Sequence, residues 1–133
     1  MPTLTMMRGV AALGDGSVFE AACRDVAALH RAGVPILAGA DANVLPGVPV
    51  HLPHGPSLHE GLELPVGASL SSTCVLRAAT ELPARHFGLT GRGSIQLGPI
   101  VELLLIEGDP TAEIRATRNI LSVWCVGVRH APC

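Results

Sequence analysis

The sequence predicts an α/β fold, and three observations indicate it. Residues 34–40 form a short apolar run, punctuated by glycine and proline, that favours a strand buried on both faces. Residues 17–32 place apolar side chains at helical spacing, and residues 2–7 are another short apolar segment. Residues 101–106 are rich in strand formers. The strand-helix-strand order at the start predicts a parallel crossover unit.

Capping signals predict four helices. The first covers residues 17–32, opens with the S-x-x-E capping-box pattern and ends at Gly33. The second opens at Ser57 with the same pattern, and Pro65 must stop or kink it. Between them, the proline-rich stretch 43–56 is a loop. Two shorter helices follow, one from Ser71 or Ser72 and one over residues 83–87, closed by Gly88.

The last third of the sequence has β character. Residues 101–106 and 119–126 are predicted strands, and Gly108-Asp109-Pro110 makes the turn after the first of them. Gly127 invites a bend into a last short strand at residues 128–130.

Composition narrows the class of protein. The 133 residues suffice for one domain, and 48% of them are hydrophobic, which allows a packed core. A net charge of -2 gives no reason to expect binding to nucleic acid or an anionic membrane. Neither a membrane span nor a signal peptide is predicted, so a cytoplasmic location is expected. Without a secretory signal, free thiols are expected at all four cysteines: Cys23, Cys74, Cys125 and Cys133.

Asp41 is the principal candidate for a functional residue. It follows the predicted strand 34–40 directly, and in (β/α) architectures ligands are held where parallel strands end. The alternative is that Asp41 caps the next segment or forms a turn before Pro46. Both interpretations are compatible with the local sequence.

Histidines give a second set of candidates. His51, His54 and His59 lie within nine positions of one another, and with Asp41 they could form a small metal set. Alternatively, each is a solvated histidine or one bonded to backbone. Contact of His54 or His59 with substrate is a further possibility. No His-x-His pair and no zincin helix spacing occurs in the sequence.

A set of short motifs resembles the metal-dependent amidohydrolases, in their imidazolonepropionase-like and prolidase-like branch. Gly39-Ala40-Asp41-Ala42 is similar to the Gly-Thr-Asp-Ala motif of that family's last barrel strand. The other motifs follow in order along nearly the whole chain: Pro2-Thr3-Leu4, His30-Arg31-Ala32-Gly33-Val34-Pro35, His54-Gly55, Ser57-Leu58-His59-Glu60, Leu76-Arg77-Ala78-Ala79-Thr80, Pro83-Ala84-Arg85, Gly91-Arg92-Gly93-Ser94-Ile95 and Gly108-Asp109-Pro110.

The resemblance implies an incomplete domain, the C-terminal third of such an enzyme. Residues 1–92 would be the last two βα units of a TIM-type (β/α)8 barrel, and residues 93–133 the last strands of an accessory β-sandwich. Arg92 would position the join between them. The family usually has Asp where Glu102 stands, and Pro99 removes a backbone donor, so local distortion of this strand is expected.

For chemistry, the resemblance implies that Asp41 binds a divalent metal, zinc by expectation, and relays a proton from the attacking water to the leaving amine. The family's other ligands lie on strands that cannot be mapped onto this sequence. Tight metal binding by this chain alone is therefore not expected.

Two hypotheses follow from these observations. The first is part of a hydrolase of C–N bonds in small amides, cyclic amides or dipeptide-like substrates, inactive in isolation. The second is a catalytically silent module for protein–protein association. Under either, exposed edges of an unclosed barrel predict self-association or pairing with a missing N-terminal portion.

Overall fold

The computed structural model describes residues 3–14, 16–97 and 102–131. Helices occupy the first of two parts, the helical part (residues 3–97), and strands the second, the β unit (residues 102–131). The elements are α1 (Leu4–Ala11), α2 (Ser17–Arg31), α3 (Pro56–Gly67), α4 (Ser72–Ala79), α5 (Glu81–His86), β1 (Leu103–Ile106), the 3-10 helix η1 (Ile114–Arg118), β2 (Ile120–Cys125) and β3 (Val128–His130). None of the described helices is long and apolar enough to span a membrane.

The predicted strand at residues 2–7 is wrong where the structure describes it, because α1 begins at Leu4. Four of its eight residues, Leu4, Met6, Met7 and Arg8, favour helices. Leu4 and Thr5 are buried, and α1 packs against α2 and α3. Tertiary packing on one face therefore selects the helix, and residue 2 lies outside the described part.

Residues 34–40 run as an extended segment without helix or turn, but they form no strand ladder within the described residues, so the strand predicted there is wrong. The Ala38 amide of this segment donates a hydrogen bond to the carbonyl of Ala78 in α4 at 2.8 Å. Helix α1 stands where the neighbouring strand was expected. The parallel strand-helix-strand unit predicted from the sequence is therefore not formed within the described residues.

Helix α2 confirms the amphipathic prediction, with Val26 buried and Phe19 and Cys23 packed against the core. Burial, and secondarily the Glu20 carboxylate, raises the pKa of the Cys23 thiol. The N-cap of α2 is Gly16, so Ser17 is the first helical residue and not the predicted cap.

The capping box predicted at Ser57 is also wrong. Helix α3 begins one residue earlier, at Pro56, with Gly55 as its N-cap at φ 86°. Proline suits the first helical position because its missing N–H would have no helical acceptor there. Pro65 does not stop the helix at once, since α3 runs to Gly67.

The next two helices follow the sequence closely. Ser71 is the N-cap of α4, and its hydroxyl accepts a hydrogen bond from the Cys74 amide at 3.2 Å. Helix α5 starts two residues before the predicted 83–87 and ends at His86. Gly88 then takes φ 65°, which terminates the helix as expected.

The β unit is an antiparallel sheet in the order β1-β2-β3. Strands β2 and β3 pair as a hairpin whose two turn residues, Val126 and Gly127, have φ of 51° and 80°. The Asp109 carboxylate accepts from the Thr111 hydroxyl and amide at 2.6 and 2.9 Å, which forms the predicted turn. These bonds, the hydroxyl's first, lower the pKa of Asp109. Residue 101 lies outside the described part.

One apolar cluster lies almost wholly in the helical part. Its buried members are Leu4, Val26, Ile36, Leu62, Leu70, Val75 and Ile114. Of these, Ile114 alone comes from the β unit, so η1 carries the contact between the two parts into the core.

A second link joins the two parts near residue 93. The Arg92 guanidinium donates from Nε to Glu102 Oε2 at 2.9 Å, so Glu102 is held in place although the motif resemblance led us to expect aspartate there. Gly93 has φ 80°, and a Cβ there would lie 2.6 Å from the Thr80 carbonyl oxygen. Only glycine fits so close an approach. Pro99 lies outside the described residues.

Candidate functional site

The extended segment 34–40 delivers Asp41 to the surface. Ile36, Leu37 and Ala40 are buried, whereas Asp41 is exposed and takes φ 53°. Aspartate tolerates this left-handed conformation better than most residues. Its carboxylate is therefore accessible to a ligand.

The loop after Asp41 folds back on itself. The Leu52 amide donates to the Asn43 carbonyl at 2.9 Å, an isolated antiparallel bridge. Val50 and Leu52, two residues of this loop, are buried. This bridge joins residues near the two ends of the proline-rich stretch, which is therefore a closed loop between Asp41 and α3.

Two buried polar atoms next to this segment have no partner among the described residues. They are the Thr5 hydroxyl oxygen on α1 and the Asn43 side-chain oxygen. A Cβ at Gly61 would lie 3.3 Å from both Thr5 Oγ1 and the Gly39 carbonyl oxygen, so α1, α3 and segment 34–40 meet closely at Gly61. The one sequence feature that points to this contact is a glycine inside a predicted helix.

The predicted histidines do not gather around Asp41 into a metal site. His51 and His54 are exposed in the loop, and His54 precedes the N-cap of α3. Across the three described ranges, no group of three His, Cys, Asp or Glu side chains could hold a metal ion. A catalytic zinc needs three protein ligands. The residues described here therefore do not fit a complete metal centre.

His59 instead faces the β unit. Its Nδ1 lies 3.1 Å from Thr117 Oγ1, and the Thr117 hydroxyl donates to the Ile114 carbonyl at 2.9 Å. Since that hydroxyl has one proton, His59 must donate from Nδ1, which leaves Nε2 as the acceptor nitrogen. Burial lowers the pKa of His59, the positive charge of Arg118 lowers it further, and Glu63 opposes both.

Charged groups that the sequence did not single out surround this histidine. Glu63 accepts from Arg118 Nε at 2.6 Å and lies 3.5 Å from Arg115 Nε. Glu60, the residue after His59 in α3, is paired with Arg8 of α1. The available signal was the spacing of His59 and Glu63, one helical turn apart.

Comparison with solved structures shows what this arrangement is similar to. A Xaa-Pro dipeptidase, crystallised with methionine in its active site, superposes with a TM-score of 0.83 at 20% identity, over 99% of this chain and 34% of that one. An amidohydrolase superposes with a TM-score of 0.74 at 17% identity, over 98% of this chain and 33% of that one. No protein-family profile and no curated protein sequence matches the chain.

The chain therefore has an amidohydrolase-like fold, as the motif resemblance predicted. It spans about a third of the length of each structure it matches. Identities of 17% and 20% establish the fold and not a particular branch. The prediction of an α/β chain is confirmed at this level, with helices and an antiparallel sheet in succession.

Proposed function

We propose that this chain provides the C-terminal third of an amidohydrolase-type enzyme that hydrolyses C–N bonds in small amides or dipeptide-like substrates. The observation that carries the proposal is the superposition on the dipeptidase over 99% of the chain. In this proposal residues 1–92 belong to the C-terminal part of a TIM-type barrel, in which segment 34–40 takes the place of the last strand, and residues 93–133 belong to an accessory β-sandwich.

The extended segment 34–40 supports this assignment. Alternate amides of an extended chain point to opposite edges. Ala38 uses one edge to reach Ala78, whereas Leu37 and Gly39, on the other edge, have no backbone partner among the described residues. A neighbouring strand from the rest of a barrel would satisfy that edge.

Asp41 is the residue that we propose for the site, because it is an accessible carboxylate at the end of this segment. The divalent metal implied by the family resemblance does not fit the described residues as a complete centre. Most of its ligands would therefore have to come from elsewhere in the enzyme. His54 remains a proposed substrate contact, since it is exposed in the loop after Asp41; for His59, such contact would use Nε2.

The test compares the 133-residue chain with the product of the complete reading frame that contains it. Both are assayed with zinc and manganese on Xaa-Pro dipeptides, N-acyl amino acids and cyclic amides. We expect turnover only from a longer product, whose added sequence supplies a His-x-His pair. Turnover by the 133-residue chain alone would contradict the proposal. So would a product of the complete reading frame that turns over none of these substrates with either metal.

The variant Asp41→Asn sharpens this test. In the active longer product it should lower kcat about 10²–10⁴-fold, because a carboxylate that handles a proton is lost. In the 133-residue chain, the same substitution should change the free energy of unfolding by less than about 1 kcal/mol, since Asp41 is exposed. Asp25→Asn, an exposed aspartate of α2, is the matched control and should leave both unchanged. Near-normal turnover of Asp41→Asn would make Asp41 a turn residue only.

A second candidate function is association with another protein without catalysis. The specific observation behind it is the sheet of the β unit, where Leu104 and Leu105 are 50% and 49% exposed. Sedimentation of the purified chain over a range of concentrations tests it. A concentration-independent monomer together with an active longer product would leave only the hydrolase proposal standing.

A further inference from the structure

We propose that His59 is a proton-sensitive latch between the helical part and the β unit, which holds η1 on α3 when neutral and loosens it when protonated. The inference rests on the contacts of His59 and stands independently of the proposed hydrolase function. It gives this chain a response to acidification that neither part would have alone.

The latch begins with a chain of hydrogen bonds across the two parts. His59 of α3 donates to Thr117, whose hydroxyl donates to the Ile114 carbonyl. Thr117 and Ile114 are each only 5% exposed, and Ile114 belongs to the apolar core. The ring is thus fixed on a buried, well-packed part of η1.

The charges around the ring make its protonation unfavourable. From η1, Arg118 and Arg115 both approach Glu63, the neighbouring carboxylate of α3. The other nearby carboxylate, Glu60, is already paired with Arg8 of α1. An imidazolium at position 59 would therefore be a third cation beside Glu63. Like charges at this range repel, and partial burial weakens solvent screening.

The direction of the pH effect follows from these contacts. Burial first, and then Arg118, lower the pKa of His59 below its ordinary value of 6.5, while Glu63 raises it less. The folded chain therefore disfavours the proton that the unfolded chain accepts. The stability held by the neutral ring is fully present above pH 6.5 and is lost as the pH falls through the lowered folded value.

Histidine titration by NMR tests the electrostatic half of the proposal. Long-range proton–nitrogen spectra report both the tautomer and the pKa of each ring, and His59→Gln assigns the signal. We expect a neutral ring protonated at Nδ1 whose pKa lies below the ordinary value of 6.5. Arg118→Gln, at a partly exposed position, should raise the pKa of His59. A ring whose pKa lies at or above 6.5, or does not respond to Arg118→Gln, would overturn the proposal.

Amide exchange tests the mechanical half. Exchange of the η1 amides, corrected for intrinsic rates, is compared at about pH 7.5 and pH 5 in the unmodified chain, His59→Gln and His54→Gln. For each unit by which the His59 pKa is lowered, protection should fall up to about tenfold on full protonation. His59→Gln should abolish this pH dependence and His54→Gln should keep it. Equal protection of η1 at both pH values in the unmodified chain would contradict the latch.

Discussion

The helical part and the β unit differ in where their apolar side chains lie. In the helical part, Leu4, Val26 and Val75 are among the least exposed of the described residues, and the four helices α1 to α4 share one core with segment 34–40. In the β unit, β1 and β3 are mostly exposed, and Ser122 is the one buried residue of the three strands.

This difference shows what holds each part. The β unit depends on local features: a hairpin turn, the Asp109 turn and the pairing of Arg129 with Ser122 at 2.7 and 2.9 Å. The helical part depends on contacts between residues far apart in sequence. Burial of apolar surface contributes more to stability than local hydrogen bonds do. We therefore expect the β unit to be stabilised mainly by the packing of Ile114 in the core of the helical part.

The largest effect predicted by this comparison is that of Ile114→Ala. It should lower the free energy of unfolding by about 3 kcal/mol, because it leaves a cavity where the β unit enters the core. Urea unfolding followed by the fluorescence of Trp124, the only tryptophan, measures this loss in the β unit, because Trp124 lies on β2. Leu121→Ala is the matched control on the exposed sheet and should cost less than about 1 kcal/mol. Equal losses from the two variants would contradict the assignment of Ile114 as the anchor.

A smaller effect of opposite sign is expected at the hairpin turn. Val126 is exposed and has φ 51°, a conformation that a β-branched residue rarely adopts. Val126→Asn places Asn-Gly, the preferred pair for a turn with two positive φ values, between β2 and β3. It should raise stability by about 0.5–1 kcal/mol, read from the thermal midpoint.

Val126→Ala serves as the control, since alanine has no such preference for positive φ and should gain less than asparagine. A destabilised Val126→Asn chain would mean that Val126 makes an apolar contact that outweighs the strain at the turn.

The same contrast explains what could be predicted from the sequence. The strands 103–106 and 120–125 and the Ser71 cap depend on neighbours in the chain, and their prediction is confirmed. The prediction of a strand at residues 2–7 is wrong, because these residues form a strand only if another strand lies beside them. A local sequence pattern does not show whether such a neighbour exists. The caps predicted at Ser17 and Ser57 lie one and two positions after the observed caps, Gly16 and Gly55.

The candidate site divides in the same way. The burial of Ile36, Leu37 and Ala40 before Asp41 followed from apolar patterning, although the predicted strand is not formed there. The engagement of His59 by Thr117 could not be predicted, because the two residues are 58 positions apart. Side chains that meet through tertiary packing leave no spacing for a motif to reveal.

Amide exchange along residues 34–40 tests the central claim most directly, namely that this segment is a barrel strand with one edge unsatisfied in the 133-residue chain. We predict strong protection at Ala38, which donates to Ala78, and at least tenfold weaker protection at Leu37 and Gly39. In the active longer product, Leu37 and Gly39 should become as protected as Ala38. Equal, strong protection at all three amides in the 133-residue chain would show that the segment needs no neighbouring strand, and would contradict the account.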